Sequence, residues 1–287
     1  AERKRLEAET ERLAAEATEW MRRYGKQVYR WGMAEYLSPI YLAVHNEIWL
    51  TAGEFARDET ARSITRAMLD WIWADLAVNA HLGQVLPPMT RDKIMIDRGP
   101  QMTYPATHTQ WLAWLYWGDE RSRPGREELA PYMAGVHPGA AVKELLNRDG
   151  SGFSTAIFPA VSSLAPNEII RNIGVKRLDT PYRLLQSRPN LAALSAAASA
   201  RRRDRAAGAD EVVRYNLRSV YVAKDYAVGS GYFRYARQVS EPDNLKHLTP
   251  AGIVYRSDDR LNRIHVSHPY WYTARTDERA GRPLGLD

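Results

Sequence analysis

The side chains best suited to acid–base chemistry crowd between positions 91 and 111, in the middle of the chain. Tyr104 and His108 lie on either side of Pro105, where the chain is predicted to enter a helix, and both residue types can transfer a proton at a reacting centre. An arginine such as Arg98 can bind a carboxylate through two parallel hydrogen bonds. We therefore predict that Tyr104 and His108 are catalytic. The predicted substrate-binding residues of this cluster are Arg98, Gln101 and Trp111.

A second candidate cluster surrounds the start of a predicted helix. Tyr41 and His45 are four residues apart and therefore share a helical face, and we predict that both are catalytic. Asn46 follows directly, and Glu35 precedes the helix; both are predicted to bind substrate. The alternative for His45 is a hydrogen-bonded residue of the core, because its helical neighbours are apolar.

The aromatic composition favours a carbohydrate ligand. The chain has 9 Trp and 16 Tyr against 4 Phe, and Trp and Tyr combine a large apolar face with a polar group. Sugar rings stack on such faces while their hydroxyls form hydrogen bonds. The same bias is also found at protein interfaces. The net charge of +6 suits an acidic polysaccharide or oligosaccharide as partner.

Several other classes of protein are poorly supported. The chain has no cysteine, and no apolar run approaches the ~18 residues that would indicate a membrane span. The basic run 201–205 is interpreted as a solvated loop or helix end, so no nucleic-acid partner is expected. No nucleotide-binding, serine-hydrolase or zinc-protease motif is present. His265 and His268 would point to opposite faces of a strand, so no metal and no cofactor are predicted.

Helical periodicity dominates the first half of the chain. The pattern predicts a long amphipathic helix over residues 2–30 and a second helix that begins with Ser38 as its N-cap and ends near residues 53–56. Asp58 is predicted to cap a third helix that ends near residue 80, with Gly83 as its stop. A proline-rich loop follows over residues 84–107. Further helices are predicted at 107–117, 127–134 and 139–146, and residues 149–190 are predicted to be irregular.

The end of the chain has the pattern of a small antiparallel sheet. About four strands are predicted, with turns at Gly229–Gly231 and at residues 257–259. Tyr226 is expected at the edge of a cleft and is predicted to bind substrate. The predicted strands cover residues 212–216, 219–223, 252–255 and 263–267. The predicted domains are 1–190 (helical hairpins), 191–210 (linker or helix) and 211–287 (β region packed on the helical part).

The stretch from Trp31 to Tyr41, with the sequence WGMAEYLSPIY, resembles a segment that opens an inner helix in toroidal α/α proteins of the heparinase and alginate-lyase kind. Residues 69–79 resemble the outer helix of the same hairpin, and residues 221–230 are similar to a strand of the β-sandwich that follows the toroid. The resemblance implies a mainly α protein, an α/α helical-hairpin toroid followed by a small antiparallel sheet or sandwich. A complete toroid and sandwich need more residues than the 287 present, so the toroid is expected to be incomplete or the chain a piece of a longer protein.

The same resemblance implies a polysaccharide lyase that cleaves a uronate-containing glycan by β-elimination, with Tyr and His side chains as acid and base. One alternative is a glycoside hydrolase, which would need paired carboxylates. Another is a non-catalytic glycan-binding protein or scaffold. The candidate carboxylates of a hydrolase are Glu35, Glu47, Asp92 and Asp97.

The chain begins at Ala1 rather than Met. We therefore expect that a signal peptide or other segment has been removed, and that the protein is secreted or periplasmic.

Overall fold

The computed structural model describes residues 2–33, 37–89, 108–124, 150–176, 179–189, 215–232, 251–256, 262–266, 276–277 and 282–283. Most of the described residues before position 180 are helical, and those after it form antiparallel sheets. The helices are α1 (Glu2–Trp31), α2 (Tyr41–Phe55), α3 (Glu59–Val78), α4 (His108–Trp117), α5 (Gly150–Val161) and α6 (Glu168–Gly174). The strands are β1 (Ala80–His81), β2 (Gln84–Val85), β3 (Tyr182–Pro189), β4 (Tyr215–Val222), β5 (Tyr226–Tyr232), β6 (Ala251–Tyr255), β7 (Asn262–Val266), β8 (Thr276–Asp277) and β9 (Arg282–Pro283).

Helix α1 confirms the long amphipathic helix that the sequence predicts. Its N-terminal part is exposed, with Leu6 and Leu13 each more than half accessible, and carries ion pairs at helical spacing such as Arg3–Glu7. Its last turns pack on the body, where Val28 is 2 % exposed. The Tyr29 hydroxyl donates a hydrogen bond to the Ala67 carbonyl of α3 at 2.8 Å. Only the C-terminal part of α1 therefore contributes to the core.

Helices α2 and α3 form a hairpin joined by residues 56–58. The predicted cap of α3 is confirmed, because the Asp58 carboxylate accepts a hydrogen bond from the Ala61 amide at 2.7 Å. Helix α2 begins two residues later than predicted: the Ser38 hydroxyl accepts from the Tyr41 amide at 3.2 Å, but Ile40 occupies the N-cap position. Helix α3 ends at Val78 with Asn79 as its C-cap, ahead of the predicted stop.

We expect Asp58→Ala to lower the free energy of unfolding by about 1 kcal/mol, the usual cost of losing an N-cap side chain. Thr51→Ala is the control, because Thr51 lies on the exposed surface of α2 and bonds only to a carbonyl one turn earlier; a change within about 0.5 kcal/mol is expected there. Urea unfolding followed by circular dichroism measures both. Equal effects of the two substitutions would contradict a capping role.

Gly83 belongs to a tight hairpin rather than to the end of α3. Strands β1 and β2 pair antiparallel, with Ala80 opposite Val85 and His81 opposite Gln84. The two turn residues, Leu82 and Gly83, both have positive φ, 53° and 77°, as a two-residue turn between twisted strands requires. The prediction that Gly83 ends α3 is therefore wrong, because Gly83 lies in the turn between β1 and β2.

The main core lies between α2, α3 and α4. Trp73 of α3 is fully buried and its indole N–H donates to the Asn46 side-chain oxygen at 2.8 Å. The edge of the Trp73 ring also meets Tyr116 of α4, with ring centroids 5.9 Å apart. Large side chains with under 2 % exposure surround this contact: Leu37, Leu42, Leu50, Met68, Leu69, Ile72, Leu76, Met89 and Leu112.

The prediction that residues 149–190 are irregular is wrong. They contain α5, α6 and β3, and the loop after α5 is fixed to α2. There the Glu54 carboxylate accepts hydrogen bonds from the Ser162 hydroxyl at 2.6 Å and the Ser163 amide at 2.7 Å. The Ser162 bond, together with the others, lowers the pKa of Glu54. Asn167 caps α6 by accepting from the Ile170 amide.

The largest sheet has five strands in the order β3-β4-β5-β6-β7, each antiparallel to its neighbour. The sequence predicts four strands, which correspond to β4, β6 and β7; β3 lies inside the range assigned to the helical domain, and β5 was not predicted. Two predicted strands, 212–216 and 219–223, correspond to the single strand β4. The predicted turn at Gly229–Gly231 is wrong, since these residues pair inside β5. The predicted helices 127–134 and 139–146 and the segment 191–210 lie outside the described residues, and the domain boundaries stay predictions.

One face of the five-stranded sheet packs on the helical part through the segment after β2. Leu86 is fully buried with Val220, Val222, Ala227 and Val254 of the sheet. Gly229 and Gly252 are paired across β5 and β6. A Cβ at Gly229 would clash with the Pro87 carbonyl, and a Cβ at Gly252 would clash with the Ile264 carbonyl oxygen and with the Pro87 ring. The opposite face is exposed, and its accessible apolar side chains are Leu185, Leu217, Tyr226, Tyr255 and Ile264.

Candidate acid–base site at the helix–sheet junction

Four of the predicted site residues, Glu35, Arg98, Gln101 and Tyr104, lie outside the described residues. Their assigned roles stay predictions, and the structure places the other six.

His108 and Tyr41 lie at two neighbouring helix starts. The Thr109 amide donates to the Pro39 carbonyl at 2.8 Å and its hydroxyl donates to the Ser38 carbonyl at 2.6 Å. These bonds hold the start of α4 against the start of α2, where Tyr41 is 39 % exposed. The His108 Nδ1 lies 3.2 Å from the Thr155 hydroxyl of α5, and burial lowers the pKa of its imidazole.

His45 and Asn46 point to different neighbours. The His45 ring stacks on Tyr24 of α1 at 6.2 Å between centroids, and burial lowers its pKa. Asn46 is fully buried and accepts the hydrogen bond of Trp73. The contacts given for both side chains are thus with other helices, and their assigned roles stay predictions.

The two aromatic residues predicted to bind substrate lie on different elements, Trp111 on α4 and Tyr226 on β5. Trp111 is 8 % exposed and meets Trp114 edge to face at 5.6 Å. Tyr226 is 42 % exposed and its ring lies 6.0 Å from that of Tyr221, on the face of the sheet turned away from the helices. Trp111 lies three residues after His108 on α4, whereas Tyr226 is on β5.

A cluster that the sequence analysis missed lies where the end of α3 meets the sheet. The helical part contributes Asp75, Asn79, His81 and Lys176, and the sheet contributes Tyr182, Gln186 and Arg218. Asp75, Asn79, His81 and Arg218 are 7 %, 0 %, 1 % and 3 % exposed. We call these seven residues the junction cluster. Buried polar groups in such number are costly unless they are bonded or functional.

An amide network joins α3 to β3. The Asn79 side-chain N–H₂ donates to the Asp75 carbonyl at 2.7 Å and to the Gln186 side-chain oxygen at 3.1 Å. The Gln186 N–H₂ lies 3.4 Å from the Asp75 carboxylate. These bonds fix the orientation of the Asn79 amide at the end of the helix.

Arg218 places a guanidinium beside this network. It pairs with Gln186 across β3 and β4, and alternation along β4 puts it on the same face as the buried Val220 and Val222. That face is the one covered by Leu86. A permanently charged group is thus held at the junction.

His81 is the most unusual member of the cluster. Neither of its ring nitrogens has a hydrogen-bond partner among the described residues. Burial, reinforced by the positive charges of Lys176 and Arg256 and opposed by Asp225, lowers the pKa of the imidazole to about 4. At neutral pH the ring is therefore uncharged, with one nitrogen able to accept a proton.

Lys176 also contacts the end of α3. Its ammonium donates to the Ala77 carbonyl at 2.8 Å and lies 5.8 Å from the centre of the Tyr182 ring. Burial lowers the pKa of Lys176 to about 7 and raises that of the Tyr182 hydroxyl. That hydroxyl is buried without a hydrogen-bond partner within the described ranges.

The junction cluster thus combines a neutral base, an oriented amide, fixed positive charge and a protonated phenol. Such a set can remove a weakly acidic proton, stabilise the negative charge that develops and protonate a leaving oxygen. The signal in the sequence was the occurrence of Asp75, Asn79 and His81 at the end of a helix whose other buried residues are mostly apolar.

Among the described residues, no helix is both long and apolar enough to cross a membrane, and no three acidic, histidine or cysteine side chains are grouped as metal ligands. No protein-family model matches the chain, and no characterised protein or solved structure is significantly similar to it.

Proposed function

We propose that the protein is a polysaccharide lyase that cleaves a uronate-containing glycan by β-elimination on an incomplete α/α toroid, with the junction cluster as its acid–base site. The observation that carries the proposal is His81, a buried and uncharged imidazole with both nitrogens unpartnered within the described residues. The resemblance of the Trp31–Tyr41 stretch to toroidal lyases and the α2–α3 hairpin support the scaffold.

The reaction assigns one role to each part of the cluster. His81 takes the C5 proton of the uronate, and the electron pair forms the C4=C5 double bond as the bond from C4 to the glycosidic oxygen breaks. The Arg218 guanidinium stabilises the carboxylate, whose negative charge otherwise opposes proton removal. The Tyr182 hydroxyl protonates the leaving oxygen. Tyr104 and His108 form the alternative acid–base pair.

The proposal requires local opening of the junction. His81 is 1 % exposed, so a sugar ring contacts it only when the sheet and the end of α3 move apart. Enzymes commonly combine such opening with the exclusion of water after closure.

Incubation with a panel of polyuronates tests the proposal. We expect an increase in ultraviolet absorbance from the unsaturated uronate product, and its loss in His81→Gln. Reducing ends without that absorbance would identify a hydrolase instead. Glycan binding without any product would identify a binding protein, and a folded protein that neither binds nor cleaves any member of the panel would refute all three.

A further inference from the structure

Lys176 has an unusual backbone conformation, and its side chain contacts the end of α3. It follows α6 with a φ of 58°, a left-handed conformation that non-glycine residues rarely adopt. This turn directs its side chain toward the last turn of α3, where the ammonium bonds to the Ala77 carbonyl. A positive charge is favourable there, because the carbonyls at a helix C-terminus carry partial negative charge.

The position of this bond matters for the junction cluster. Ala77 lies two residues before Asn79 and four before His81. A shift of the last turn of α3 would displace both side chains together, and Lys176 bridges that turn to the Tyr182 ring. Lys176 therefore supports the end of α3 in addition to the Asp75–Asn79–Gln186 network.

The charges that act on His81 come from several elements. Lys176, after α6, and Arg256, at the end of β6, disfavour protonation of the imidazole, and Asp225, in the β4–β5 turn, favours it. Asp75 of α3 and Arg218 of β4 are the remaining charged groups of the junction cluster, and Tyr182 is its remaining titratable group. Lys176 acts more strongly than Arg256 among the cations.

We propose that Lys176 is a positioning residue for His81: its ammonium bonds to the Ala77 carbonyl, fixes the end of α3 that leads to His81, and places a positive charge at the same junction as the imidazole. Its catalytic relevance rests on the proposed elimination. The coupling between Lys176 and His81 does not depend on any substrate.

Three substitutions separate the hydrogen bond from the charge. Lys176→Met removes both, Lys176→Gln removes the charge and retains an N–H donor, and Lys176→Arg retains both. Lys26→Gln is the control, because Lys26 is an exposed lysine of α1. Each variant is first checked for folding by circular dichroism.

Titration of His81 by nuclear magnetic resonance, with its signal assigned through His81→Gln, supplies the readout. We expect the midpoint to rise by about 1 pH unit in Lys176→Met and Lys176→Gln, and to stay at the wild-type value in Lys176→Arg and Lys26→Gln. An unchanged midpoint in the folded Met or Gln variant would overturn the proposal. A wild-type midpoint at or above about 6.5 would overturn it without any variant.

The polyuronate panel gives an independent result. If the midpoint shifts as expected but the wild type forms no unsaturated product, the elimination is refuted and the coupling stands. If product forms and the midpoint does not shift, the elimination stands and Lys176 has no positioning role.

Discussion

Gly229→Ala is expected to destabilise the protein by at least about 3 kcal/mol, because the added methyl group has no space. Its Cβ would lie 1.8 Å from the Pro87 carbonyl oxygen and 2.8 Å from the Pro87 carbonyl carbon. Both are backbone atoms, so no side-chain rotation relieves the clash. The sheet would have to move away from the segment after β2 and expose Leu86, which is fully buried against it.

Chemical unfolding, followed by both circular dichroism and tryptophan fluorescence, measures this loss. Ser230→Ala is the matched control, because Ser230 is the next residue of β5 and faces solvent; a change within about 0.5 kcal/mol is expected. If Gly229→Ala is as stable as Ser230→Ala, Pro87 does not pack on this strand. A Gly229→Ala variant in which only the sheet unfolds would show that the two parts fold independently.

The free energy of unfolding is expected to fall by ~3 kcal/mol between pH 6.5 and pH 4 through His81 alone, at about 1.4 kcal/mol per pKa unit. The pKa of His81 is lowered to about 4 in the folded protein, whereas an exposed histidine has a pKa of about 6.5. Between these values the unfolded chain binds a proton that the folded protein does not, so falling pH favours unfolding. The stabilisation is complete above about pH 6.5 and is lost near pH 4.

Unfolding curves at intervals across this pH range measure the effect. In His81→Gln the side chain no longer titrates. The free energy of unfolding should therefore fall less between pH 6.5 and pH 4, by the amount that His81 contributes in the wild type. Glu54, whose pKa is also lowered, acts in the same direction at more acidic pH and remains in both proteins. If the free energy of unfolding depends on pH equally in the wild type and in His81→Gln, the pKa of His81 is not lowered in the folded protein.

The helices could be predicted because their signals are local. Asp58 precedes the apolar stripe of α3, and Met68, Ile72 and Leu76 of that stripe are all buried. The cap and the stripe both lie within the helix that they specify. The same holds for α1, although the sequence does not show that its first turns lack contacts with the core.

The sheet was predicted less well because its determinants are distant in the sequence. Gly229 and Gly231 have the pattern of a turn, yet Gly229 lies inside a strand because Pro87 packs against it. Strand β3 carries polar and charged residues, and its identity as a strand depends on pairing with β4. Each of these contacts joins residues that are far apart in the sequence, so a short stretch of sequence does not contain both partners.

The junction cluster could not be found for the same reason. Lys176 reaches the Ala77 carbonyl across 99 positions of the chain, and the pKa of His81 is lowered by burial and by the charges of Lys176 and Arg256 on two distant segments. The residues that local patterns singled out, such as His45 and Trp111, were those with aromatic neighbours nearby in sequence. A functional centre between a helical part and a sheet is assembled only by the tertiary fold.

The Asn79–Gln186 hydrogen bond joins residues 107 positions apart. Asn79 is therefore synthesised well before its partner on the sheet. A ribosome adds about 5 to 20 residues per second, so Gln186 follows Asn79 after roughly 5 to 20 seconds. During that interval α2 and α3 can pair, while Asp75, Asn79 and Leu86 remain in water without their partners from the sheet. During this interval the nascent helical part exposes a surface whose partners in the sheet have not yet been synthesised. A chaperone that binds apolar segments near residue 86 would act at this stage.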